Sequence, residues 1–115
     1  MKPSRFNNCI AIGVKDKDAT ANAFVRQFGG AITDQRTDWV EVTTGPYRFY
    51  FVEDGTTDIA FSVDCHSDEV DQYIEELASD GFTVDEAISS RVGETFVRDQ
   101  NGMLININVI ESDED

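Results

Sequence analysis

The chain is poor in the residues that would make several protein classes. It has two cysteines, Cys9 and Cys65, in 115 residues. They stand in neither a CxxC nor a zinc-finger spacing, so neither a disulfide framework nor a zinc knuckle is expected, and both read as reduced thiols. Only three of its bases are lysine, Lys2, Lys15 and Lys17, and 23 acids against 9 bases leave a net charge of −14. That field repels phosphate backbones and argues against a nucleic-acid partner. No apolar stretch approaches the length that spans a bilayer, and Met1-Lys2-Pro3-Ser4-Arg5 lacks the apolar core of a signal peptide. A cytoplasmic protein with no membrane partner is expected. There is no glycine-rich phosphate loop and no nucleophile elbow. The single histidine, His66, reads as a solvated residue beside a helix start. Low lysine with abundant acid suits a salt-adapted surface, and Glu111 to Asp115 reads as a frayed acidic tail.

What is present is an internal repeat. Shifting the chain by 49 residues carries Ile10, Ala11, Ile12 and Val14 onto Ile59, Ala60, Phe61 and Val63. Both segments alternate, as strands with one apolar face do. The same shift carries Ala21, Phe24, Val25 and Phe28 onto Val70, Tyr73, Ile74 and Leu77. Both sets follow the stripe of an amphipathic helix. Asp18 and Ser67 are the expected helix caps, and Gly29-Gly30 and Gly81 the stops. Beyond the helix the offset grows to about 56, and Phe49, Tyr50 and Phe51 land on Ile105, Asn106 and Ile107. Short strands fit near 31–34 and 38–43 in the first half, and near 82–87 and 94–98 in the second. Gly45-Pro46 and Asn101-Gly102 supply turns.

Each half therefore reads β-α-β-β-β. The expected class is α+β: two βαβββ modules in tandem, about 5–53 and about 57–111, with the tail 111–115 and a link Asp54-Gly55-Thr56-Thr57. A four-stranded sheet with a helix on one face leaves the other face to be covered. Two modules together are expected to form a cupped mixed sheet, each with its helix outside and a concave ligand face inside. By alternation Ile10, Ile12, Val14, Ile59, Phe61 and Val63 face the helices. Cys9, Ala11, Gly13, Asp58, Ala60 and Ser62 face the other side, where the small residues leave volume for a ligand.

The run Phe96-Val97-Arg98-Asp99-Gln100-Asn101-Gly102-Met103-Leu104-Ile105-Asn106-Ile107 resembles the closing phrase of the vicinal oxygen chelate superfamily, which includes glyoxalases, bleomycin-resistance proteins and extradiol dioxygenases. Gln100 stands where the family has proline. The segments Cys9 to Asp16 and Asp58 to Asp64 resemble its two opening strands. The resemblance implies a cavity in which metal-dependent members gather four ligands. Carried over, those positions are Cys9, Tyr50, Asp58 and Asn106. None is histidine or glutamate, so a cofactor-free protein is expected, with no metal held there. Arg48 shares a strand face with Tyr50. It reads either as an ion-pair partner for Asp58 or, with Cys9, Tyr50, Asp58 and Asn106, as part of a site where it receives an anion. Glu41, Glu75 and Glu76 read as solvated. Trp39 or Tyr47 is a candidate for the cavity mouth, with Phe49 and Phe51 in the core. The leading expectation is metal-free binding of a small organic molecule by a homodimer. The alternatives are a metal-dependent lyase, isomerase or dioxygenase, and a degenerate interaction module.

Overall fold

A computed structural model describes residues 5–54 and 58–111. The leading residues 1–4, the link residues Gly55, Thr56 and Thr57, and the tail 112–115 lie outside the described residues. Eight strands and three helices follow in the order β1 Phe6–Val14, α1 Lys17–Phe28, β2 Ala31–Gln35, β3 Trp39–Thr44, β4 Tyr47–Glu53, β5 Ile59–His66, α2 Val70–Ser79, β6 Thr83–Val84, α3 Glu86–Val92, β7 Thr95–Arg98 and β8 Leu104–Ile110. The class is α+β, with two β-α-β-β-β runs and one additional helix in the second. No helix among the described residues is long and apolar enough to cross a membrane.

Two compact units divide the chain: Asn8–Phe61, and the segments flanking it on both sides. The boundary between the units falls within β1 at Asn8, whose φ of 66° is a left-handed conformation that asparagine tolerates better than most residues.

In the unit Asn8–Phe61 the strand order is β2-β3-β4-β1. β1 runs parallel to β4, and the other pairs are antiparallel. One sheet face is apolar and lies under α1. Ala21, Val40, Val42 and Phe51 are fully buried, and Ile12, Val14, Phe24, Val25, Ile32 and Phe49 pack against them. The Phe24 ring stands 4.7 Å from Phe49 and 5.4 Å from Phe51. The expected cap moves by two residues: Asp16, not Asp18, accepts the Ala19 N–H at 3.0 Å. Gly45 opens the two-residue β3–β4 hairpin at φ 57°, which the following Pro46 could not take. At Gly30 an added Cβ would collide with the Thr43 carbonyl and Thr44 Oγ1, so the close approach to β3 requires glycine.

Phe28 departs from the helix stripe. It is 71 % exposed, and its ring lies 4.8 Å from that of Phe24. It is the last residue of α1. Phe28→Ala is therefore expected to cost less than about 1 kcal/mol in urea unfolding.

In the other unit the strand order is β5-β8-β7-β6. Val63, Cys65, Leu77, Val97, Ile105 and Ile107 form its core, and Val70, Tyr73, Ile74, Phe82 and Val84 pack on it from α2 and the strand ends. Burial pushes the Cys65 thiol above its usual range, consistent with an inert structural cysteine. Ser67 does not cap α2. It begins a 3-10 turn, Ser67–Glu69, and α2 has no side-chain cap. The strand expected near 82–87 is only Thr83–Val84, because the chain then turns into α3. Asp85 caps that helix by accepting the Ile88 N–H at 3.1 Å, and Arg98 pairs with its other oxygen at 3.1 Å. The Ile88 N–H and Arg98 hold the Asp85 carboxyl below the usual range. Gly93 ends α3 in the left-handed region.

The burial expected along β5 holds only in its second half. Val63 and Cys65 enter the core, whereas Ile59 and Phe61 are 52 % and 39 % exposed. His66 is the last residue of β5 and is exposed.

Candidate functional site

Sheet register decides which side chains share a face. In parallel and antiparallel ladders alike, residues paired across strands point to the same side. In the unit Asn8–Phe61, Cys9 pairs with Arg48 and Ala11 with Tyr50 across β1–β4, and Gly13 pairs with Val52. Across β3–β4, Thr43 pairs with Arg48, Glu41 with Tyr50 and Trp39 with Val52. The face away from α1 therefore carries three rows: Trp39–Val52–Gly13, Glu41–Tyr50–Ala11 and Thr43–Arg48–Cys9. Sequence alternation places Cys9, Ala11, Gly13, Arg48 and Tyr50 here, and the structure brings them together.

At the centre the Tyr50 hydroxyl donates to Glu41 Oε2 at 2.6 Å. Thr33 Oγ1 donates to Glu41 Oε1 at 2.7 Å and exchanges a 2.8 Å bond with Thr43 Oγ1. Trp39 packs against Tyr50, with ring centroids 5.1 Å apart and planes tilted by 55°. Glu41 is thus a structural acceptor, not a merely solvated strand residue. Tyr47 is 42 % exposed and takes no part. Burial first, then the hydrogen bond and charge of Glu41, push the Tyr50 phenol up to about 12. The folded state therefore prefers the neutral phenol, and stability contributed by that preference is lost as pH rises from about 10 to about 12. The difference between phenolate titrations of the wild type and Tyr50→Phe should show one group with a midpoint near 12. Glu41→Gln should lower that midpoint. A midpoint unmoved by Glu41→Gln would mean that the 2.6 Å bond is not made in solution.

Asp58 lies half-buried just before β5, and its carbonyl accepts the Gly13 N–H at 2.8 Å. Arg48 is exposed and forms no ion pair within the described residues, so the expected Arg48–Asp58 pair is not made.

Asn106 lies in the other unit, 8 % exposed, on the face of β8 opposite the α2 core. Its Oδ1 accepts from Ser62 Oγ at 3.1 Å, and its Nδ2 donates to Glu94 Oε1 at 2.8 Å. Asn7 Nδ2 reaches Ser62 Oγ at 3.0 Å and Asp64 Oδ1 at 2.7 Å, and Asn108 Nδ2 reaches the same Asp64 oxygen at 2.9 Å. A ladder of amides and one hydroxyl thus joins Glu94 to Asp64. Ser62 and Ala60, expected to leave ligand volume, are instead buried at 6 % and 3 % exposure. Beside this ladder an open cleft of about 260 Å³ is lined by Gly93, Glu94, Thr95, Ile107, Asn108 and Val109. Asn7, Asp64 and Glu94 are absent from the sequence-derived site. Alternation along β5 puts Asp64 in phase with Ser62, a signal available in the sequence. Asn7, which precedes the first alternating segment, gives no such signal.

The donor set at the positions that the resemblance implies for a metal does not fit one. Tyr50 is a neutral phenol whose hydrogen is given to Glu41, and both ends of the Asn106 amide are engaged by protein partners. Among the described residues no three His, Cys, Asp or Glu side chains gather as a ligand cluster.

No protein-family model matches the chain, and no curated protein matches it. Solved structures do. A glyoxalase/bleomycin resistance protein/dioxygenase superfamily member from Vibrio splendidus 12B01 superposes with a TM-score of 0.60 at 16% identity, covering 88% of this chain and 95% of that one. Methylmalonyl-CoA epimerase from Mycobacterium tuberculosis gives 0.57 at 13% identity, with 95% and 91% covered. A catechol 2,3-dioxygenase gives 0.57 at 19% identity over 94% of this chain, which spans 40% of the dioxygenase. At these identities the likeness is one of fold: the chain has the vicinal oxygen chelate fold.

Proposed function

We propose that the chain binds a small organic molecule on the α1-distal face of the sheet in Asn8–Phe61, and that it does so without a metal. The observation that carries this reading is the aligned face itself. One side of the β1–β4–β3 ladder is closed by α1, while the other presents Trp39, Glu41, Tyr50, Arg48 and Cys9, all half-buried or exposed. An aromatic pair beside a few oriented polar groups is the usual make-up of a small-molecule site. The solved structures of this fold include enzymes, but the fold does not carry their chemistry to this chain.

The chain's single tryptophan, Trp39, lies in the site and reports on it. Screening a fragment library by Trp39 emission, with amide spectra as a second readout, should find molecules that perturb Trp39, Glu41 and Tyr50 together in metal-free buffer. A library that leaves this face unperturbed, or that perturbs it only when a divalent ion is added, would overturn the reading.

The proposal includes a cytoplasmic homodimer. Exposed Ile59 and Phe61 and the unpaired edge of β2 are surfaces that a second copy would cover. Sedimentation at micromolar concentration should give a dimer, and a monomer there would contradict it.

A further inference from the structure

We infer that the ligand of this face is a small zwitterion of the α-amino-acid type, with its ammonium on Glu41, its carboxylate on Arg48 and its side group against Trp39 and Tyr50. This rests on the binding role proposed above and names its ligand class.

Glu41 and Arg48 are diagonal neighbours on antiparallel strands, because Glu41 pairs with Tyr50 and Arg48 with Thr43. Such positions lie about 7–8 Å apart, close enough for long side chains of opposite charge to meet. They do not meet. The Glu41 carboxylate is turned to Tyr50 and Thr33, each giving one hydroxyl hydrogen bond to one oxygen. Two neutral donors orient a carboxylate without neutralising it, and each oxygen keeps a lone pair for a further donor. Arg48 has no ion-pair partner among the described residues; it is exposed, and its backbone pairs with Cys9 and Thr43. The face therefore holds a fixed negative group and a free positive group side by side.

The charge pattern separates the candidate ligands. A simple anion would meet Arg48 but also Glu41, on a chain of net charge −14. A simple amine would satisfy Glu41 and leave Arg48 unmatched. A molecule carrying both groups matches both at once and is neutral overall. Trp39 stands two residues from Glu41 on the same strand face, so an ammonium on Glu41 lies next to an aromatic ring. That ring already attracts one cation: the Arg36 guanidinium, held by Asp34, lies 5.7 Å from the Trp39 centroid.

The test is a Trp39 fluorescence titration of the full chain with three probes: L-phenylalanine, its N-acetyl derivative without the ammonium, and its amide without the carboxylate. The zwitterion should bind roughly tenfold or more tightly than either blocked form, the usual size of one charge-assisted contact. Glu41→Gln should abolish the penalty for N-acetylation, and Arg48→Gln the penalty for amidation, with each variant's thermal unfolding confirming that it folds. Arg48 is exposed, so its variant keeps the test decisive if Glu41→Gln is unstable. Equal affinity for all three probes would overturn the inference. Should none bind while an unrelated organic molecule shifts Trp39 emission, the zwitterion falls and the binding role stands. Should no organic molecule shift it, both fall.

Discussion

Phe51→Ala is expected to lower stability by about 3–5 kcal/mol, enough to leave a domain of this size largely unfolded in mild denaturant. Phe51 is 1 % exposed and belongs to the core with Ala21, Val40 and Val42. Its ring lies against Phe24 at a centroid distance of 5.4 Å. Removing it takes away both the transfer energy of a phenyl group and the packing of α1 on β3 and β4. A rigid ladder around the site cannot collapse freely into the cavity. Urea unfolding monitored by far-ultraviolet dichroism gives the value directly. A loss near that of Phe28→Ala would mean that α1 does not sit on this face.

The second large effect is expected at Asn106. Asn106→Leu preserves much of the volume but removes the acceptor for Ser62 and the donor to Glu94. Ser62 is 6 % exposed, so its hydroxyl loses its acceptor out of reach of water. The cost should be about 2–3 kcal/mol, dominated by that unsatisfied group and not by the exposed Glu94. A double-mutant cycle with Ser62→Ala should return about 1 kcal/mol of coupling, since the two residues share one hydrogen bond. Additive losses would mean that Ser62 and Asn106 do not form the ladder.

Much of this fold is legible in the sequence because its elements obey short periods. The alternation of Ile10 to Val14 and the stripe of Ala21, Phe24 and Val25 point the same way, and β1 and α1 follow. The readings fail where a tertiary edge decides. Phe28 fits the helical stripe, yet it ends α1 and is exposed. Ile59 and Phe61 keep the strand phase of Val63, yet both are exposed. Helix α3 carried its own signal in Asp85 as cap and Gly93 as stop, but the symmetry of the repeat favoured a strand there. The α1-distal residues Cys9, Arg48 and Tyr50 follow from alternation. The partners that define their chemistry do not, because Tyr50 meets Glu41, and Glu41 meets Thr33, only through the register of three strands.

That chemistry separates this site from a metal centre, and metal titration tests the separation most directly. Isothermal calorimetry of the full chain with nickel, zinc and manganese, each at neutral pH, should show no stoichiometric binding at micromolar concentrations, with Tyr50 still donating to Glu41 and Asn106 still bridging Ser62 and Glu94. One equivalent of any of these ions bound at micromolar affinity, and lost in Tyr50→Phe or Glu41→Gln, would contradict the reading of the face as a metal-free binding site.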